Sequence, residues 1–181
     1  MTRLTNLMAA SLLVAGATQA TAAVISTSGS APTSGSYFTD ANSTAGGSGY
    51  WTKTSFGSVG QSFTHTEVSG AKWELNAVTF LGHGDTPNSI TESFNDLTLQ
   101  VFAGNGTSGT QLGGDITFGT GTFNSKDQYI TMTLTAGETA SIGELTSGSQ
   151  YTVVILSDNA DGFRIVRADT GDSAYTGGKG I

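Results

Sequence analysis

Segments in which apolar and polar residues alternate run through most of the chain. Every second residue of Leu97–Phe102 is apolar, and Tyr129–Leu134 repeats this pattern. A period of two turns one set of side chains towards a core and the other towards solvent, as in a β-strand. Tyr151–Leu156 is almost continuously apolar, which predicts a central strand covered on both faces.

Seven segments of this kind are predicted to form strands. They are Gln61–Thr64, Trp73–Leu81, Leu97–Phe102, Asp115–Phe118, Tyr129–Leu134, Tyr151–Leu156 and Phe163–Val166. Clusters of Gly, Asn, Asp and Ser separate them, and Asn105-Gly106 is a hairpin signal between two strands. Trp73 is expected in the core, and its strand is expected to carry a bulge. Helical periodicity is missing after residue 22.

This pattern of short strands and turns predicts an all-β fold. We expect a β-sandwich of the jelly-roll type or, alternatively, of the immunoglobulin type. The end of the chain, Ala174–Ile181, begins like a turn before another strand and then stops. Two expectations follow for this end, a sandwich that lacks its last strand or a loosely closed domain.

The first 22 residues are typical of a secretory signal peptide. Arg3 supplies a positive charge, Leu4–Gly16 is mostly apolar, and Ala20-Thr21-Ala22 fits the small-x-small pattern of a cleavage site. The apolar stretch is short for a membrane span, which takes about 20 residues. We expect cleavage after Ala22 or Ala23, then a Ser/Thr/Gly-rich leader or first strand over residues 23–49 and a β-sandwich domain over residues 50–181.

Composition narrows the partners and the compartment. The 181-residue chain has a net charge of −7 and no cysteine. An acidic chain lacks the basic surface that nucleic-acid binding requires. Without cysteine there are no disulfides, no thiol catalysis and no Cys-ligated zinc. We expect a bacterial protein that is secreted or held at the cell surface, with no membrane span in its mature part.

Several strand segments also resemble a known group of proteins. They are Gly60–Phe63, Trp73–Thr79, Leu97–Phe102, Tyr151–Leu156 and Gly162–Val166. Over about residues 58–178 the chain resembles secreted bacterial proteins that carry sorting tags of the PEP-CTERM type. The resemblance implies a jelly-roll or carbohydrate-binding-like sandwich exported to the envelope or matrix. The tag itself does not follow Ile181, so anchoring by that route is not expected.

No pattern of residues predicts catalysis. The histidines are His65 and His83, and the chain has no Gly-x-Ser-x-Gly nucleophile motif. The glutamates could supply the two carboxylates of a glycosidase, but no spacing selects a pair. We therefore expect a protein that is not an enzyme.

Asp158, Asn159 and Asp161 are candidate metal ligands. Their oxygen-bearing side chains precede Gly162, and hard cations such as Ca²⁺ prefer several oxygen ligands presented by a tight loop. The alternative is a plain hairpin turn, which favours the same residues for backbone reasons. The turn is the favoured interpretation, so no cofactor is expected unless Ca²⁺ binds here.

Tyr50 and Trp51 are candidate ligand-binding residues. They follow a Gly/Ser-rich stretch, and exposed aromatic rings stack on the C–H faces of sugars. The alternative is that Trp51 packs over one end of the sandwich, because large aromatic side chains are mostly buried.

Two functions remain open from the sequence. The leading one is a non-catalytic envelope or extracellular-matrix protein with a structural or adhesive role, in contact with polysaccharide or with other matrix proteins. The alternative is a carbohydrate-binding module with Tyr50 and Trp51 as its platform, for which Ca²⁺ is the candidate stabilising ion.

A thermal melt distinguishes the two interpretations of Asp158, Asn159 and Asp161. If they bind Ca²⁺ in the native state, excess Ca²⁺ raises Tm by several degrees relative to EDTA, because a ligand that binds only the folded chain stabilises it by mass action. Asp158→Ala then abolishes the rise. A hairpin turn predicts the same Tm in Ca²⁺ and in EDTA.

Overall fold

Two antiparallel β-sheets with a shared core form the body of the fold. The computed structural model describes residues 22–30, 32, 50–51, 58–64, 70–82, 91–93, 97–119, 121–124, 128–158 and 165–166. The expected signal peptide, residues 1–22, lies outside this part of the chain except for Ala22. The prediction of an all-β, sandwich-like fold is confirmed.

The described part of the chain contains thirteen strands and one short helix. In chain order they are β1 (Val24–Ser28), β2 (Tyr50–Trp51), β3 (Ser58–Thr64), β4 (Lys72–Trp73), β5 (Ala77–Leu81), β6 (Thr91–Ser93), β7 (Leu97–Ala103), β8 (Gln111–Thr117), β9 (Thr122–Asn124), β10 (Tyr129–Thr133), α1 (Ala136–Ile142), β11 (Leu145–Thr146), β12 (Gln150–Ser157) and β13 (Ile165–Val166).

The larger sheet has four strands in the order β3-β12-β7-β8. The smaller sheet has three, in the order β1-β10-β5, and neighbouring strands in both sheets are antiparallel. Three short pairs, β4 with β11, β2 with β13 and β6 with β9, complete the described strands. The first strand of the smaller sheet, Val24–Ser28, comes from the Ser/Thr/Gly-rich segment.

The core lies between the two sheets. Leu99 and Val101 of β7 and Ile130 and Met132 of β10 have no exposed surface and belong to one cluster of buried residues. Each pair is separated by a polar residue, Gln100 or Thr131, that is only partly buried. The period of two in the sequence therefore identified the core face of both strands.

The prediction for the central strand is confirmed. β12 lies between β3 and β7, and its residues Tyr151–Ile155 are all buried. Tyr151, Val153 and Ile155 belong to the core cluster, whereas Thr152 and Val154 are buried on the other side of the sheet.

The connection between β7 and β8 covers part of that second face. Thr152 is 0% exposed, and its Oγ1 donates to the carbonyl oxygen of Gly104 at 2.7 Å. Thr152 Oγ1 also accepts from the backbone N–H of Gly106 at 2.8 Å. The Asn105-Gly106 signal therefore does mark a hairpin, but its loop folds back onto β12 instead of making a two-residue turn.

Two predicted strands differ most from the observed bounds. Trp73–Leu81 is interrupted at residues 74–76, so that β4 and β5 pair in different sheets. At this break the N–H of Leu134 donates to the carbonyl of Asn76 at 2.9 Å, and Thr139 Oγ1 donates to the carbonyl of Leu75 at 3.1 Å. These bonds to the segment around the helix replace strand pairing.

The strand predicted over Asp115–Phe118 is observed as β8, which begins four residues earlier, at Gln111.

The described part of the chain contains one short helix, α1, which the search for helical periodicity did not predict. Thr135 is the N-cap of α1, and its Oγ1 accepts from the N–H of Glu138 while the Glu138 carboxylate accepts from the N–H of Thr135. This reciprocal capping box was visible in the sequence as Thr-x-x-Glu. A helix of seven residues is too short to show a helical period, so periodicity alone missed it.

Three aromatic rings close one end of the core. Phe63, Trp73 and Tyr151 have ring centroids about 6 Å apart, and Trp73 packs against Tyr151 edge to face. Trp73 is partly buried against the core cluster, as predicted. The Tyr151 hydroxyl accepts from the N–H of Thr146 at 2.8 Å.

In the described part of the chain, no helix has the length and apolar character needed to cross a membrane.

We predict that Thr152→Val lowers the free energy of unfolding by about 2 kcal/mol, because it leaves the Gly104 carbonyl and the Gly106 N–H without their side-chain partner in a part-buried place. Urea unfolding monitored by circular dichroism measures the change. The matched control is Thr117→Val at an exposed strand position, where the change stays within about 0.5 kcal/mol. Equal effects of the two substitutions would contradict the prediction.

Candidate functional site

A bulge in β8 distinguishes the edge of the larger sheet. Leu99 pairs with Ile116 and Val101 pairs with Leu112, so three residues of β8 face the single residue between Leu99 and Val101. These three residues are Gly113–Asp115. Extra residues in one strand bend it locally and change the direction of a side chain.

Helix α1 requires a glycine in this bulge. Gly113 has a φ of +71°, a conformation that other residues rarely adopt. α1 packs against β8, and a Cβ at Gly113 would lie 2.9 Å from the Ser141 Oγ and 3.3 Å from the Ile142 nitrogen. The close approach of the helix and the positive φ both select glycine.

The bulge places the Asp115 carboxylate between two glutamines. Its Oδ1 accepts from Gln100 Nε2 at 2.7 Å and from Gln111 Nε2 at 2.8 Å. We call Gln100, Gln111 and Asp115 the Gln–Asp–Gln cluster. Asp115 is exposed, and both of these bonds are made to the same carboxylate oxygen. A carboxylate can accept about four hydrogen bonds.

The two glutamines favour the ionised form of the Asp115 carboxylate. Hydrogen bonds from Gln111, and next from Gln100, hold the pKa of the Asp115 carboxyl below its ordinary value and outweigh the opposite effect of desolvation. Asp115 is therefore an anion at neutral pH, which suits it to accept hydrogen bonds and not to deliver a proton.

The surroundings of the cluster are polar and open. Thr98 and Thr117 pair across β7 and β8, and Thr117 is exposed. Gly114 is exposed beside Asp115, and a Cβ there would meet no atom within 4 Å. We call Thr98, Thr117 and the Gln–Asp–Gln cluster the polar patch. Phe102 lies opposite Gln111 but is only 8% exposed, so its ring is not a stacking platform.

The polar patch can bind hydroxyl groups. The ionised Asp115 accepts a hydrogen bond from a hydroxyl, while threonine hydroxyls and glutamine amides both donate and accept. The patch combines these groups on an open strand pair. This chemistry matches a polyhydroxylated ligand.

The candidate calcium ligands are only partly described. Asp158 is exposed and directly follows β12. Asn159 and Asp161 lie outside the described residues, as do His65 and His83. Among the residues that the structure describes, no three His, Cys, Asp or Glu side chains are grouped so as to hold a metal ion. The calcium hypothesis stays a prediction.

The candidate aromatic platform lies in a short strand. The backbones of Tyr50 and Trp51 form β2 and pair with Val166 and Ile165 of β13. Their side chains are outside the described part of the structure, so the prediction that they bind a ligand stays a prediction. The structure does not bring them together with the polar patch in any described contact.

Sequence reasoning missed the Gln–Asp–Gln cluster. One signal was available, because Gly113-Gly114 inside a strand pattern indicates a bulge. A second was Gln100, which occupies a solvent-facing position of β7. Neither signal reveals that both glutamines bond the same carboxylate oxygen, because that depends on the strand register.

We predict that NMR titration finds the pKa of Asp115 below the usual range for aspartate. Gln111→Ala raises this pKa, and Gln100→Ala raises it by less, because the bond from Gln111 contributes most. Since the folded pKa is lowered, the stabilisation is present at neutral pH and is lost as pH falls through the folded pKa.

The matched control for this titration is Gln61→Ala, which removes a glutamine from β3 at the opposite edge of the same sheet. It should leave the pKa of Asp115 unchanged. An unmoved pKa in Gln111→Ala would contradict the assignment.

Comparison with known proteins found no match to this chain among protein-family models, among curated proteins or among solved structures.

Proposed function

We propose that this chain is an exported, non-catalytic protein of the bacterial cell envelope or extracellular matrix with a structural or adhesive role. The observation that carries the adhesive role is the polar patch. It combines one ionised carboxylate, two amides and two hydroxyls on an open strand pair of the larger sheet. The N-terminal segment with Arg3, its apolar run and Ala20-Thr21-Ala22 supports export.

A stable sandwich without disulfides supports a structural role. The chain has no cysteine, so its stability outside the cytoplasm rests on packing and hydrogen bonds. The core joins both main sheets, and the central strand is buried on both faces. Such a domain can carry a binding surface without a covalent crosslink.

The partner that fits the polar patch is a neutral polysaccharide. Sugar hydroxyls donate to a carboxylate and accept from amide N–H groups. The net charge of −7 and the ionised Asp115 disfavour an acidic polymer, because like charges repel. An uncharged sugar forms no ion pair with Asp115, so salt is expected to change its binding only weakly.

A carbohydrate-binding module is the second candidate function. The Gln–Asp–Gln cluster favours it, because two glutamines that bond one carboxylate oxygen fix the direction of the carboxylate before a ligand arrives. A general adhesive surface needs no such fixed geometry. The two candidates differ in selectivity, since a module retains one class of glycan and an adhesive surface retains many weakly.

We predict that the mature chain adsorbs to insoluble neutral glycans and that Asp115→Ala weakens this adsorption about tenfold or more, through loss of a charged hydrogen-bond acceptor. The measurement is a depletion isotherm on cellulose, chitin and starch, repeated in about 0.5 M NaCl with little change expected. Gln61→Ala is the control and should adsorb as the unmodified chain does.

The same isotherms separate the alternatives. Retention of a single glycan favours a module at the polar patch, and weak retention of all three favours a general adhesive surface. Loss of adsorption in Trp51→Ala together with normal adsorption in Asp115→Ala would move the site to β2. Failure to adsorb to any glycan would refute polysaccharide binding and leave the structural role.

A further inference from the structure

Ala23 lies where the two main sheets meet. It is 1% exposed and belongs to the core cluster. It forms a parallel bridge with Phe118, the residue that follows β8 of the larger sheet, while Ala23 itself precedes β1 of the smaller sheet. The N–H of Gly119 donates to the Ala23 carbonyl at 3.2 Å. This contact joins the two sheets at one edge.

Burial changes sharply between Ala22 and Ala23. Ala22 is exposed, Ala23 is buried, Val24 is 55% exposed and Ile25 is buried again. The alternation of β1 therefore starts at Ala23 and not at Val24. Ala23 is a structural part of the folded domain, whereas the residue before it, Ala22, is exposed.

We propose that the leader is removed by hydrolysis of the Ala22–Ala23 bond, and that this cut precedes the docking of β1 onto the sandwich. This assignment rests on the export that the proposed function includes. Water supplies a hydroxyl to the Ala22 carbonyl carbon and a hydrogen to the Ala23 nitrogen. The products are a leader that ends in a carboxylate and a domain that begins with the amino group of Ala23.

The alternative cut, after Ala23, removes a piece of the fold. It takes away the buried methyl group, the bridge to Phe118 and the acceptor of the Gly119 N–H. A cut after Ala22 preserves all three. The new ammonium group on Ala23 lies next to the place where exposed Ala22 stood, so water can solvate it.

The order of events follows from access to the bond. A peptidase needs the residues on both sides of the scissile bond extended and free. In the folded domain Ala23 is buried, and its carbonyl is bonded to Gly119. The bond becomes accessible only when β1 is not docked, which is its state during translocation.

The test uses the full chain with its leader, produced in an exporting bacterial host. Intact mass and the N-terminal peptide identify the first residue of the exported product, which we expect to be Ala23. Small residues are required one and three positions before the cut. Ala22→Leu therefore blocks the cut after Ala22, and Thr21→Leu blocks only a cut after Ala23.

The two substitutions form a matched pair with opposite predictions. We expect Thr21→Leu to be processed normally and Ala22→Leu to lose the product that begins at Ala23. A product that begins at Val24, or a block caused by Thr21→Leu, would overturn the assignment. A chain that stays in the cytoplasm, leader attached, in every variant would refute export itself, an outcome distinct from a shifted cut.

A second measurement tests the order of events. The leader-bearing chain, purified and allowed to fold, is incubated with signal peptidase in detergent beside the same chain freshly diluted from urea. We expect the folded sample to be cleaved at least tenfold more slowly. Equal rates would overturn the claim that docking of β1 protects the bond.

Discussion

The burial of β12 on both faces is the constraint on which the other described elements depend. Its inner side supplies Tyr151, Val153 and Ile155 to the core between the sheets. Its outer side is buried as well, and there Thr152 fixes the β7–β8 loop with two hydrogen bonds. A buried polar side chain costs free energy unless it is bonded, so the loop has to return to β12. Because that loop joins β7 to β8, the register of the edge pair that carries the polar patch depends on the same contact.

A chain of contacts then leads from the helix to the carboxylate. The capping box fixes the start of α1, and Thr139 ties the helix to the break between β4 and β5. The helix lies so close to β8 that a Cβ on Gly113 would meet it. The bulge places Gly113, which has no Cβ, next to the helix, and it directs Asp115 towards two glutamines. The bonds from Gln111 and Gln100 then hold the Asp115 carboxylate in one direction and lower its pKa. The packing of α1 against β8 contributes by setting the backbone of the bulge. Preorganisation of this kind reduces the entropy lost when a ligand binds.

Both proposals involve β8, the edge strand of the larger sheet. The polar patch lies along β7 and β8, and its residues Asp115 and Thr117 are exposed. Ala23 lies where β1 meets the end of β8 and holds the sheets together. An exported chain that begins at Ala23 has a core residue as its first residue. In this proposal, the bond that is cut during export is the one next to the start of the folded domain. In the proposed function, the domain presents a hydroxyl-binding surface without a disulfide to stabilise it.

The sequence by itself determined the fold class, the central strand and the core faces of β7 and β10. These follow from periodicity, which is a local property of the chain. It also contained the capping box and the glycine pair of the bulge, although periodicity alone revealed neither. The tertiary structure decided which strands pair, where Trp73–Leu81 breaks, and that Gln100, Gln111 and Asp115 meet at one oxygen. It also decided that Ala23 is part of the core while Ala22 is not. Strand pairing between distant segments sets these features, and a local pattern of residue types does not encode register across a loop.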